Sequence, residues 1–111
     1  MNKRNIGGFY EQAVCEYLTR QGLVIVEKNF RCRIGEIDII ARDGNTLAFI
    51  EVKYRKDASY GSPLEAVTPK KQGTIRRVAQ YYMAFSDWKG FLRFDVIGIC
   101  ADEITWIKNA F

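Results

Sequence analysis

The sequence predicts an α/β or α+β domain built on a central sheet, with its elements in the order αβββαββ. Two segments carry apolar side chains at helical spacing, and five shorter apolar segments are rich in β-branched or aromatic residues. The chain has 111 residues, which is enough for one hydrophobic core but not for two. We therefore expect residues 1–111 to form a single domain.

The first half of the chain is predicted to contain one helix and three strands. FYEQAVCEYLTR, ending at Arg20, has helical apolar spacing, and Gly22 is placed to cap that helix. Strands are predicted around 23–32 and in EIDIIAR and TLAFIEVKYR. The residues Asp-Gly-Asn at 43–45 separate the last two, which predicts a β-hairpin.

The second half is predicted to contain a loop, a helix and two strands. The polar stretch DASYGSPLEAVTP includes a possible helical turn near 64–67, and its part 57–63 is a candidate to close over a substrate. Thr68 and Pro69 predict a helix start, with the helix running to about residue 85. FLRFDVIGIC and EITWIK predict the last strands. The apolar stripe of the helix is expected to comprise Ile75, Val78, Tyr82 and Phe85.

Composition restricts the possible functions. The net charge of +4 and the sequence pI near 9.1 are compatible with an anionic partner such as nucleic acid. The absence of histidine excludes Ser-His-Asp catalysis, Cys-His catalysis and histidine-ligated zinc. Three cysteines without a CxxC pair argue against a disulfide framework and a cysteine zinc site. No signal peptide or membrane-length apolar run is found, so we expect a cytoplasmic protein without a membrane partner.

Charged side chains interrupt the predicted hairpin. Because side chains alternate along a strand, Glu36 and Asp38 share one face of their strand. By the same rule, Glu51 and Lys53 share one face of the next strand. We expect all four charges to lie together on one face of the hairpin, where directly opposed residues have Cβ atoms about 5 Å apart.

The turn decides which of these residues face each other. A loop at 44–45 places Asp38 opposite Glu51, whereas a loop at 43–44 places Glu36 opposite Glu51. In either register, two carboxylates lie close together and should repel. A divalent cation between them would reverse that effect, and Mg²⁺ and Mn²⁺ favour carboxylate oxygens.

Two interpretations of the charged face remain open at this stage. In the first, Glu51 and the Val52 carbonyl are metal ligands, and Lys53 positions a water or neutralises charge on a phosphate. In the second, the face is merely solvated, and Glu36 and Lys53 form a cross-strand ion pair.

A known signature matches these residues. Asp38 followed by Glu51-Val52-Lys53 resembles the PD-(D/E)xK nuclease signature, with Ile37 in place of the proline. The segments NFRCRIGEIDIIARDGNTLAFIEVKYR, YGSPLEAVTPKKQ and RFDVIGI closely resemble the YraN family of small bacterial proteins. That resemblance implies a restriction-endonuclease-like mixed β-sheet flanked by helices, similar to archaeal Holliday-junction resolvases. It also implies a metal-dependent endonuclease activity.

The resemblance assigns roles to individual residues. It makes Asp38 and Glu51 metal ligands and Lys53 the catalytic lysine. It adds Glu11 on the first helix as a further catalytic and metal-binding acidic residue, and Glu36 as a fourth residue at the metal. The chain departs from the family pattern at Tyr10, where a glycine is usual, and at Gly73, where a basic residue is favoured.

The second predicted helix carries four basic residues that are candidate nucleic-acid contacts. A row of such side chains can follow phosphates, although a solvated charged face explains the pattern equally well. These candidates are Lys70, Lys71, Arg76 and Arg77.

The function predicted from these observations is an Mg²⁺- or Mn²⁺-dependent endonuclease that hydrolyses phosphodiester bonds in nucleic acid, with DNA as the expected partner. Similarity to the resolvases points to branched or structured DNA and makes a homodimer plausible. Two alternatives belong to other classes of protein. One is a nucleic-acid-binding protein of the same fold that does not cut, and the other is a protein-interaction module.

Overall fold

A five-stranded mixed sheet, in the order β1-β2-β3-β4-β5, forms the centre of the protein. The computed structural model describes residues 3–56 and 61–111, with side chains from residue 10 onward. The predicted class and the order αβββαββ are confirmed. The elements are α1 (Lys3–Arg20), β1 (Val24–Arg31), β2 (Glu36–Asp43), β3 (Thr46–Arg55), a 3₁₀ turn (Pro63–Ala66), α2 (Pro69–Met83), β4 (Phe91–Cys100) and β5 (Glu103–Ile107).

The first helix ends at the glycine that the sequence indicated. Gly22 adopts a φ of +94°, a conformation that glycine reaches without a Cβ penalty. The Leu23 amide donates to the Leu18 carbonyl at 3.0 Å, which satisfies one of the last free carbonyls of α1. The chain thereby turns sharply from α1 into β1.

The β2–β3 hairpin has the first of the two registers considered above. Asp43 pairs with Thr46, and the pairing continues to Ile39 opposite Ile50. Residues 44–45 therefore form the two-residue loop, and Gly44 supplies a φ of +60°. This register directs Asp38 toward Glu51.

The two helices cover opposite faces of the sheet. Strands β3 and β4 are parallel neighbours, and the 3₁₀ turn and α2 connect them. The α1-side core comprises Val14, Cys15, Leu18, Leu23, Ile39, Ala41, Ala48, Ile50, Ile97 and Ile99. The α2-side core comprises Ile37, Ile40, Leu47, Phe49, Val67, Ile75, Val78, Ala79 and Val96.

Helix α2 begins as predicted but ends earlier than its sequence pattern indicated. The Thr68 hydroxyl accepts a hydrogen bond from the Lys71 amide at 3.2 Å, which confirms Thr68 as the N-cap. Ile75 and Val78 are buried, as expected. The assignment of Phe85 to the apolar stripe is wrong, because α2 ends at Met83 and the Phe85 side chain beyond it is 78% exposed.

A buried carboxylate links β4 to β5 and to the chain that follows. Asp95 has no exposed surface, and its Oδ1 accepts hydrogen bonds from Arg93 Nε at 2.8 Å and from the Asn109 amide at 2.9 Å. Its Oδ2 accepts from Arg93 Nη2 at 2.9 Å and from Trp106 Nε1 at 3.0 Å. Arg93 Nη2 also lies 3.1 Å from Asp43 Oδ2, so the network extends to the hairpin turn.

The candidate substrate-closing loop at 57–63 lies partly outside the described residues, which resume at 61. From there, Ser62 caps the 3₁₀ turn by accepting a hydrogen bond from the Leu64 amide at 3.3 Å. Neither of the described helices is long and apolar enough to cross a membrane.

Candidate metal centre

Strands β2 and β3 separate at the site where the predicted ligands lie. Their pairing stops at Ile39 and Ile50, one residue before Asp38 and Glu51. The Val52 amide donates to Asp38 Oδ2 at 2.8 Å, so this carboxylate takes the place of a strand carbonyl. Asp38 is therefore held by the backbone of β3 in the gap between the two strands.

The regular alternation of faces breaks at Asp38. Ile37 packs in the α2-side core and Ile39 in the α1-side core, although residues two apart on a regular strand share a face. A matching irregularity occurs on β1, where Asn29 has a φ of +54°. The expectation that all four charges share one hairpin face is therefore wrong: Glu36 lies near Glu11 of α1, whereas Glu51 lies against α2.

Glu51 is a buried carboxylate with an incomplete set of partners. It is only 5% exposed, and Lys71 Nζ of α2 lies 3.5 Å from its Oε2. This ion-pair contact lacks hydrogen-bond geometry, so Oε2 has no hydrogen-bond partner among the residues described here. A buried oxygen without a donor costs stability, which leaves Glu51 suited to a cationic ligand.

The surroundings of Asp38 shift its protonation. Burial, and then the hydrogen bond and negative charge of Glu51, together raise the pKa of Asp38 to about 8. The Val52 amide and the Lys71 ammonium act in the opposite direction on the same pKa. Asp38 therefore tends to retain its proton near neutral pH unless a cation compensates the negative charge.

The two other predicted acidic residues meet next to this pair. With its NH₂ group turned toward the carboxylates, Asn29 donates to Glu11 Oε1 at 2.6 Å and to Glu36 Oε1 at 3.1 Å. Burial raises the pKa of Glu11, the Asn29 hydrogen bond lowers it, and the charges of Asp38 and Glu36 raise it. Sequence reasoning missed Asn29, although asparagine is one of the few residues that tolerate a positive φ.

Glu36 does not form the alternative ion pair with Lys53. Its Oε2 instead lies 3.2 Å from Arg31 Nε on β1. Strand alternation places Lys53 on the same face as Glu51, and Lys53 is opposite Gly98 of β4. Lys53 forms no hydrogen bond or ion pair with any described residue, so its ammonium is available to a ligand.

The four basic residues of α2 have different surroundings. Lys71 reaches Glu51, and the exposed Arg77 donates to Thr74 Oγ1 at 3.4 Å. Lys70 is exposed. The Arg76 guanidinium lies 5.9 Å and 5.5 Å from the ring centroids of Phe94 and Phe111, away from the carboxylate pair. The structure thus brings Lys71, rather than Arg76, to the site.

The donor set matches a hard divalent cation. Within residues 3–56 and 61–111, no group of three His, Cys, Asp or Glu residues converges to hold a metal ion. Magnesium is commonly held by one or two carboxylates, with waters and substrate phosphates as its other ligands. Asp38 and Glu51 fit that pattern, because both offer carboxylate oxygens and Glu51 Oε2 lacks a donor.

Substitution of Asn29 tests whether its hydrogen bond lowers the pKa of Glu11. Asn29→Gly keeps the positive φ and removes the amide, so we expect the pKa of Glu11 to rise further. Titration of the Glu11 carboxyl carbon by NMR measures this change. Asn29→Ala should show the same rise and also cost about 1 kcal/mol more stability than Asn29→Gly, because alanine resists a positive φ. An unchanged pKa of Glu11 in both variants would contradict this role of Asn29.

Fold and site together define a mixed α/β protein with a partly buried and a buried carboxylate at the gap between two strands, and with lysines beside them. Residues 10–99 match the model of the uncharacterised protein family UPF0102, and the chain belongs to this family. The predicted membership in the YraN family is thereby confirmed.

Full-length relatives support the assignment. The UPF0102 protein of Caldicellulosiruptor saccharolyticus is 42% identical over 118 aligned positions that cover 100% of both chains. That of Lachnoclostridium phytofermentans is 44% identical and covers 100% of this chain and 96% of its own. That of Shewanella woodyi is 44% identical and covers 97% of this chain and 92% of its own. The family description carries no activity.

Proposed function

We propose that this protein is an Mg²⁺- or Mn²⁺-dependent endonuclease that hydrolyses phosphodiester bonds in nucleic acid. The observation that carries the proposal is the pair of carboxylates formed by the partly buried Asp38 and the buried Glu51, with Glu51 Oε2 lacking a hydrogen-bond donor. Such a pair is costly to keep unless a cation binds it. Lys53 lies on the same strand face as Glu51 and has no partner among the described residues.

Each residue has a distinct chemical task in this proposal. Asp38 and Glu51 would hold the metal ion, which would supply positive charge at the scissile phosphate and activate water for attack. Lys53 would orient the attacking water by hydrogen bonding and stabilise the negative charge that develops on the phosphate. The Val52 amide fixes the Asp38 carboxylate, so this ligand is already positioned before substrate arrives.

The substrate surface would extend along the exposed side of α2. Lys70 and Arg77 are exposed there, and Lys71 connects them to the carboxylate pair. A row of cations suits the regular spacing of phosphates, and the net charge of +4 favours the same partner. DNA is the proposed substrate, and branched or structured DNA is proposed by analogy with the resolvases.

A cleavage assay with metal titration tests the proposal. We expect Mn²⁺ to bind the wild type and to support cleavage of at least one member of a panel of branched, single-stranded and duplex DNA. Glu51→Gln should abolish both properties, whereas Lys53→Ala should reduce cleavage by about 10²-fold or more and largely spare Mn²⁺ binding. Glu103→Gln, on the edge strand β5, is the matched control and should behave as wild type.

A nucleic-acid-binding protein that does not cut is the second candidate. It is favoured by the absence of a third converging protein ligand within the described residues. Metal-independent DNA binding with a steep salt dependence and no cleavage would establish this function. If the protein binds neither Mn²⁺ nor nucleic acid, the third alternative, a protein-interaction module with a solvated carboxylate face, would be favoured.

A further inference from the structure

We propose that the Lys71 ammonium neutralises Glu51 in the metal-free protein, in place of the metal ion. When the metal ion binds Glu51, the ammonium moves away from this carboxylate. With metal present, the same side chain would swing outward and contact a substrate phosphate. This inference rests on the proposed metal site and adds a positioning role to Lys71, which sequence reasoning had placed only among the nucleic-acid contacts.

The two partners of this ion pair differ in their freedom to move. The Glu51 side chain is 6% exposed, whereas that of Lys71 is 43% exposed. The Lys71 backbone is fixed in the first turn of α2, because its amide donates to the Thr68 hydroxyl. Movement is therefore confined to the long side chain of Lys71, which can leave Glu51 without disturbing the helix.

The contact itself is weak enough to be exchanged. Lys71 Nζ lies 3.5 Å from Glu51 Oε2 without hydrogen-bond geometry, and this oxygen has no other donor among the residues described. A metal ion that bonds directly to that oxygen would satisfy it better than the ammonium does. An ammonium and a divalent cation at the same carboxylate would also repel each other, so metal binding would favour the departure of the Lys71 ammonium.

The two lysines at the site differ in their contacts. Lys71 forms an ion pair with Glu51, whose Oε2 lies 3.5 Å from Lys71 Nζ. Lys53 differs in this respect, because it forms no ion pair within the described chain. The two lysines would therefore have separate tasks: Lys53 at the reacting phosphate and Lys71 as the exchangeable counter-ion.

Calorimetric titration of Mn²⁺ into Lys71→Met and Lys70→Met tests the exchange. If Lys71 competes with the metal, Lys71→Met should bind Mn²⁺ about three- to tenfold more tightly than wild type. Lys70→Met removes the same charge from the neighbouring exposed position and should keep the wild-type affinity for Mn²⁺. Lys71→Arg retains a cation at this position and should not show the increased affinity for Mn²⁺.

A measurement on the wild-type protein avoids any effect of substitution on folding. We expect the Lys71 amine to react faster with an amine-acylating reagent when Mn²⁺ is added, as quantified by peptide mass spectrometry. Lys70 in the same peptide region is the internal reference, and its reactivity should not change with Mn²⁺. Reactivity of Lys71 that is unaffected by saturating Mn²⁺ would overturn the exchange.

The outcomes separate this inference from the proposed function. If wild type and Lys71→Met bind Mn²⁺ with equal affinity, the metal site stands and the exchange of the Lys71 ammonium for the metal ion is overturned. If neither protein binds Mn²⁺, with or without DNA, the proposed metal site fails and this inference fails with it. If only Lys71→Met binds Mn²⁺ measurably, the result would support the exchange and would show that the Lys71 ammonium competes strongly with the metal ion for Glu51.

Discussion

Replacement of Asp95 by alanine is expected to lower the free energy of unfolding by roughly 3–5 kcal/mol, the usual cost of removing one partner of a buried ion pair. Asp95 is fully buried and accepts hydrogen bonds from Arg93, Trp106 and the Asn109 amide. Its removal leaves two N–H donors without an acceptor and leaves Arg93 with Asp43 as its remaining carboxylate partner. Urea unfolding, with the slope checked for constancy, measures the loss.

A double-mutant cycle identifies the source of this loss. Arg93→Met together with Asp95→Ala should cost less than the sum of the single changes, because each single change already removes the Arg93–Asp95 interaction. The hydrogen-bond and ion-pair partners of Asp95 among the described residues include neither Asp38 nor Glu51, so folded Asp95→Asn should keep its Mn²⁺ affinity. A cost below about 1 kcal/mol for Asp95→Ala would show that water or rearrangement replaces the network.

Replacement of Asp38 by asparagine is expected to change the pH dependence of stability. Burial and the neighbouring Glu51 raise the pKa of Asp38 to about 8, whereas an unfolded aspartate titrates near about 3.9. The folded state therefore holds the Asp38 proton more tightly than the unfolded state does. Without metal, wild-type stability should fall as the pH rises from about 4 to about 8, and Asp38→Asn should lack that part of the fall.

The two proteins should consequently differ most at alkaline pH. At about pH 9 with a chelator, we expect Asp38→Asn to be more stable than wild type by roughly 2–4 kcal/mol, and near pH 4 we expect little difference. Asp87→Asn, at an exposed position after α2, is the control and should follow the wild-type curve. Urea unfolding across this pH range provides the measurement, and parallel curves for wild type and Asp38→Asn would contradict it.

Addition of Mn²⁺ should reverse the order of the two stabilities. A ligand that binds only the folded state stabilises it by an amount that grows with the ratio of free ligand to Kd. Wild type should gain this stabilisation at pH 8, whereas Asp38→Asn should not. An equal effect of Mn²⁺ on both proteins would place the ion away from Asp38.

Local sequence patterns were sufficient to predict the framework of the site. The Asp43-Gly44-Asn45 segment predicted the hairpin but left two registers open, and the structure has the one that directs Asp38 toward Glu51. Thr68 and Gly22 marked helix ends correctly because capping depends on residues close in sequence. Phe85 was misplaced because helical periodicity continues past the point where α2 stops.

Features that depend on distant residues were not predictable from these patterns. The positive φ of Asn29 and the loss of alternation at Asp38 arise where β1, β2 and β3 adjust to one another. The Lys71–Glu51 contact depends on how α2 packs across the sheet. The Asp95 network left one visible signal, a carboxylate within the otherwise apolar run FDVIGIC, which indicates a buried and paired charge.

The hydrogen bond from the Val52 amide to Asp38 affects how sequence changes within this family should be interpreted. Because a side-chain oxygen at position 38 completes the hydrogen bonding of β3, a lineage that lost the proposed catalysis would still be expected to keep an acceptor there, either aspartate or asparagine. The side chains of Glu51 and Lys53 form no comparable hydrogen bond to the backbone of the described residues. Glu51 is buried with its Oε2 lacking a donor, and Lys53 has no partner within the described chain. Loss of Glu51 and Lys53, with a hydrogen-bond acceptor kept at position 38, would therefore mark a homologue that has lost the proposed chemistry while keeping its architecture.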